Sequence, residues 1–122
     1  EDAIGNRPDP PPTLSTKSDL ARVAGFVSGD SYCCGMGRVI GSPELSQIPH
    51  IKNYCIALGK TILIATANSG ETDYIKVLEE AGFGMVGTAP NPLHSGRNFH
   101  VFLYEQGERD LDNYRKSLDS WR

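Results

Sequence analysis

The chain has 122 residues, 39% apolar, 8% aromatic and 22% charged, with 12 Lys and Arg against 15 Asp and Glu. That length suits one domain and excludes a large barrel or a two-domain enzyme. A net charge of −3 with no basic cluster excludes nucleic acid as the expected partner, because phosphate affinity comes from gathered cations. No apolar run reaches the roughly 18 residues a membrane span needs, so no membrane association is expected, and no secretion signal is visible. Cys33 and Cys34 are neighbours, a strained geometry for a mutual bridge. Without a Cys-x-x-Cys pair, reduced thiols in an intracellular protein are expected.

Four of the eight prolines fall at Pro8, Pro10, Pro11 and Pro12, so residues 1–18 predict an extended arm that cannot be helical. The arm is either semi-rigid and solvated or laid along a partner. Residues 20–28 are apolar with Val and Phe and predict a strand. The glycines from Gly35 to Gly41 predict a turn and then a loop or second strand. A helix is expected to start near residue 48, with Ser46 or Gln47 as cap, Pro49 in its first turn and Gly59 at its end. Its apolar positions are Ile48, Ile51, Tyr54, Cys55 and Leu58. Residues 60–67, KTILIATA, predict a central strand buried on both faces.

A helix over 71–81 follows, with Ile75, Leu78 and Ala81 on one face, Tyr74 beside them, and Gly82 closing it. Residues 83–88 and 98–105 predict an antiparallel hairpin around a loop over 89–96. Residues 108–121 predict a terminal helix with Leu111, Tyr114, Leu118 and Trp121 in one stripe. That stripe packs on its own domain or docks on another chain, since Tyr and Trp serve as interface anchors. The expected division is an arm over 1–18, a core over 19–107 and a helix over 108–122. The fold class is α/β (α+β), a small mixed sheet flanked by helices.

The order from Arg38 onwards is loop, helix, central strand, helix, hairpin. Arg38-Val39-Ile40-Gly41-Ser42-Pro43 stands where a cofactor loop opens a helix, and Ala81-Gly82-Phe83 precedes the hairpin. In these features residues 20–105 resemble the GNAT superfamily of acetyl-CoA-dependent N-acetyltransferases, with a shortened N-terminal part. The resemblance implies acetyl-CoA as cofactor if the site is active. It implies Arg38, Gly41 and Ser42 at the phosphates, through helix-end amides and a close backbone approach. It places Thr66 and Ala67 along the pantetheine arm, held by main-chain hydrogen bonds as in strand addition. Acid and base candidates are Tyr74 and His100.

Three positions depart from the family. Pro43 lacks the N–H that would help hold phosphate, Pro49 shortens the helix, and Leu78 stands where the family often has a tyrosine acid. The histidines His50, His94 and His100 have no metal-ligand spacing, and no metal site is expected. A thiol nucleophile at Cys33 or Cys34 has nothing to fix its geometry, and the glycines of 35–41 make neither a Walker loop nor a Rossmann fingerprint. The departures favour a non-catalytic structural or interaction protein on a trimmed GNAT-like core, possible as a component of a phage virion. Its partners would be other protein chains, bound through residues 1–18 and 108–122. The alternative is an active N-acetyltransferase of unknown amine acceptor, in the cytoplasm.

Overall fold

A computed structural model describes residues 14–28, 35–90 and 98–121. Residues 1–13 of the arm, Cys33, Cys34, and the loop residues 91–97 with His94 lie outside the described residues. The elements are α1 (Lys17–Val23), β1 (Val27–Ser28), β2 (Met36–Val39), α2 (Ile48–Ala57), β3 (Ile62–Asn68), α3 (Thr72–Glu80), β4 (Gly84–Pro90), β5 (Asn98–Glu105) and α4 (Glu108–Ser120).

Residues 20–28 correct the expected strand, because most of the segment is helical. Thr16 caps α1: its Oγ1 accepts from Asp19 N–H at 3.1 Å, while Asp19 Oδ2 accepts from Thr16 N–H at 2.9 Å. Leu20 and Val23 then fall on one buried helical face. The local cap outweighs the sheet preference of the Val and Phe that follow, and only Val27 and Ser28 are left to pair with β2.

The five strands form one mixed sheet in the order β1-β2-β3-β5-β4, with β3 at its centre as expected. β2 and β3 are parallel and joined through α2, and the pairs β3–β5 and β4–β5 are antiparallel. Gly59 and Gly82 close α2 and α3 with φ of +77° and +96°.

Leu63, Ala65 and Ala67 of β3, Val39 of β2 and Phe102 of β5 are buried on one face. Against them pack Ile48, Ile51 and Cys55 of α2, with Tyr74 and Leu78 of α3. Burial pushes the Cys55 thiol up to about 12. On the opposite face Ile62 and Ile64 are half-buried and Thr66 is exposed. β3 is thus sealed on one side only, which corrects the expected burial on both.

α1 and α4 both lie against α2. A buried polar knot joins them. Ser15 N–H donates to Ser117 Oγ at 2.7 Å, Asn53 Nδ2 donates to Ser15 Oγ at 2.7 Å, and Ser15 Oγ meets His50 Nδ1 at 2.7 Å. Trp121 Nε1 donates to Ser15 O at 2.6 Å.

Candidate active site at the open end of the sheet

Pairing between β2 and β3 runs from Met36↔Ile62 to Val39↔Ala65 and stops. β3 continues beside β5 as far as Asn68↔Phe99. The chain beyond Val39 turns away, and Ile40 N–H donates to Phe26 O at 2.7 Å. A gap therefore opens beside Thr66, Ala67 and Asn68.

Strand parity decides what faces that gap. Ile62 N–H donates to Gly35 O at 3.0 Å on the β2 side. Main-chain groups alternate sides along a strand, so Ile64, Thr66 and Asn68 also turn theirs toward β2. Thr66 thus presents its amide and carbonyl to the gap. Ala67 directs its own toward β5, opposite His100, and contributes only a small buried side chain. The Asn68 N–H is taken by Glu71 Oε1 at 2.8 Å.

The loop leaving β2 carries Gly41 at φ +74°, a left-handed conformation open to glycine. A Cβ there would stand 3.1 Å from the Phe26 ring. Ser42 is exposed and Pro43 buried. A 3-10 turn over Leu45–Gln47 precedes α2, and it consumes two amides. Gln47 N–H donates to Glu44 O at 2.9 Å, and Glu44 N–H to Gln47 Oε1 at 2.8 Å. Arg38 is exposed between buried Gly37 and Val39. Its strand parity sets it on the face away from α2, so it approaches the loop from the other side of the sheet.

His100 sits one strand from Ala67 at the same end. Its Nδ1 lies 2.9 Å from Thr88 Oγ1 on β4. The Thr88 hydroxyl points its own hydrogen at Met85 Sδ, 3.9 Å away. Tyr74 shares the core cluster with Ala67, and its buried hydroxyl has no hydrogen-bond partner. Burial, with the Glu71 charge second, makes it a weaker acid, its pKa pushed up to about 12.

Thr66, Ala67 and His100 lie at one end of the sheet by register, with His100 on β5, across β3 from the gap; Tyr74 shares the core cluster with Ala67, and Gly41 and Ser42 follow β2 in the chain. Thr88 and Glu71 were not singled out from sequence. Glu71 had a signal, a carboxylate three residues after Asn68; Thr88 had none, because the hairpin register that sets it against His100 is not written in the loop. Among the described residues, no group of three or more His, Cys, Asp or Glu is placed to hold a metal ion. None of their helices is long and apolar enough to cross a membrane.

This sheet order, with two parallel strands parting around a glycine-bearing loop, is the GNAT-like fold, and solved structures share it. Ard1 from Thermoplasma volcanium matches with a TM-score of 0.59 at 13% identity, over 75% of this chain and 78% of that one. A probable acetyltransferase of the GNAT family from Chromobacterium violaceum matches with a TM-score of 0.56 at 15% identity, over 69% of this chain and 49% of that one. The yncA protein from Salmonella typhimurium, solved with its cofactor acetyl-CoA, matches with a TM-score of 0.53 at 11% identity, over 66% and 54%. The chain thus spans about half the length of the last two. No protein-family model and no curated protein matches the sequence.

These neighbours overturn the expected non-catalytic scaffold. Solved structures that share the fold include acetyltransferases of the GNAT family, and no finding supports a structural protein or a virion component.

Proposed function

We propose that this chain is the core of an acetyl-CoA-dependent N-acetyltransferase acting on an amine. The observation that carries the reading is the gap beside Thr66, where β3 outruns its parallel partner and turns main-chain groups outward. Acetyl-CoA, when bound, supplies an acetyl group activated as a thioester. Thr66 holds the pantetheine amides by strand-like hydrogen bonds, and the small Ala67 side chain leaves room. Gly41 and Ser42 receive the phosphates through their amides, and Arg38 adds charge from the far face. His100, oriented by its hydrogen bond to Thr88, would accept the amine proton. Tyr74, with its hydroxyl sealed in the core, is assigned no proton transfer.

Titration calorimetry with acetyl-CoA, and with CoA alongside, tests the proposal. A micromolar dissociation constant that weakens at least tenfold in Ser42→Glu is expected, since a carboxylate at that exposed position repels phosphate. Absence of heat up to millimolar cofactor overturns it.

A further inference from the structure

A cleft of about 410 Å³ lies away from the gap, between α2, the end of α3 and the start of α4. Its floor is Tyr104, paired with Leu63 toward the other end of β3. Its volume falls in the range of small-molecule sites, roughly 300–1,000 Å³.

Lys52 is the chemical centre of this cleft. Its Nζ lies 3.8 Å from the Tyr104 ring centroid and donates to Ala81 O at 3.0 Å. Both partners are neutral. Among the described residues no carboxylate oxygen comes within 4.0 Å of it. Asp110 lines the cleft, but its Oδ2 already accepts from Tyr104 O–H at 2.6 Å and Gly107 N–H at 3.1 Å. A half-buried ammonium without a direct ion pair is costly: desolvation lowers the Lys52 pKa, and the nearby Asp110 charge opposes that only in part.

The remaining lining restricts the counter-ion. Leu45, Ile48 and Pro49 make an apolar wall beside Lys52. Glu80 and Asp110 also line the cleft, so a second negative charge on the ligand, as on phosphate, is repelled. One negative charge with an apolar body satisfies both the wall and the ammonium.

We propose that this cleft is a binding site for a small amphipathic monocarboxylate, its carboxylate paired with Lys52 and its apolar body against Leu45, Ile48 and Pro49. The site is separate from the gap at Thr66 and does not depend on acetyl transfer.

The test is an amide-resolved NMR titration of the full chain with 4-phenylbutyrate, and with 4-phenylbutanamide as its uncharged twin. Saturable shifts centred on Lys52, Gly82 and Asn113 are expected. The uncharged twin should bind at least about tenfold more weakly, the loss of one charge-assisted contact. Lys52→Met should lose affinity likewise while Lys52→Arg keeps most of it. Equal binding of acid and amide, shifts centred on Ser42 and Thr66, or no saturation at tens of millimolar each overturns the proposal. The twin comparison uses the native chain, so it stands even if a Lys52 variant folds poorly.

Discussion

Ser15 and Ser117, 102 positions apart, share a buried hydrogen bond in which the Ser15 amide donates to the Ser117 hydroxyl oxygen at 2.7 Å. Both residues are fully buried. Ser117→Ala leaves the Ser15 N–H with no acceptor in a place water does not reach. The expected cost is about 1–3 kcal/mol, the desolvation penalty of an orphaned donor. Tm should fall by roughly 5–10 °C in a thermal melt.

Gly41→Ala tests the loop that leaves β2. Its φ of +74° is unfavourable for a residue with a Cβ, by about 1–2 kcal/mol. The added carbon also meets the Phe26 ring at 3.1 Å. Chemical denaturation should show a loss of at least that size. Phe26→Leu in the same background should recover the steric part and leave the backbone part.

Tyr74 sets an alkaline limit. Its folded pKa is pushed up to about 12 from the ordinary 10.0 by burial and by the Glu71 charge. Above pH 10 the unfolded chain releases this proton and the folded chain keeps it. The unfolded state then binds fewer protons, so stability falls as pH rises from 10 toward 12. Tyr74→Phe should flatten that fall in denaturation curves taken across this window. At neutral pH the variant should be as stable as the parent or more so, because the buried hydroxyl it removes has no partner.

His100→Ala should lower kcat/KM for acetyl transfer by about 10²-fold or more if the imidazole is the general base. Thr88→Val removes the hydroxyl hydrogen-bonded to His100 Nδ1 and should cost less, about tenfold. Acetyl-CoA affinity by calorimetry should be nearly unchanged in both.

Much of the fold was legible locally. The alternation of Asn98–Glu105 marked β5, and helical spacing closed by Gly59 and Gly82 marked α2 and α3. The segment 20–28 misled because its composition favours a strand while the Thr16–Asp19 cap lies just upstream. Hydrophobic content alone suggested two sealed faces for β3, whereas exposed Thr66 within the run marked an open one. β4 runs on to Pro90, which an edge strand tolerates because that side needs no ladder donor.

The candidate site was legible only in part. Thr66, Ala67 and His100 could each be picked by type and position. Their meeting depends on the register Ala67↔His100, which side-chain identity does not encode. The cleft around Lys52 was beyond reach, because it draws on three helices and a strand that converge only in space.

Trp121 is the single tryptophan of the chain, and its indole N–H is held by the carbonyl of Ser15, 106 positions earlier. A contact of such sequence separation closes a long loop, whose entropy must be met before the contact stabilises anything. The segment around Ser15 should therefore dock only after sheet and helices have assembled, and be the first to detach. Indole fluorescence reads that last step directly, so a refolding trace should lag the far-ultraviolet signal of the sheet and helices.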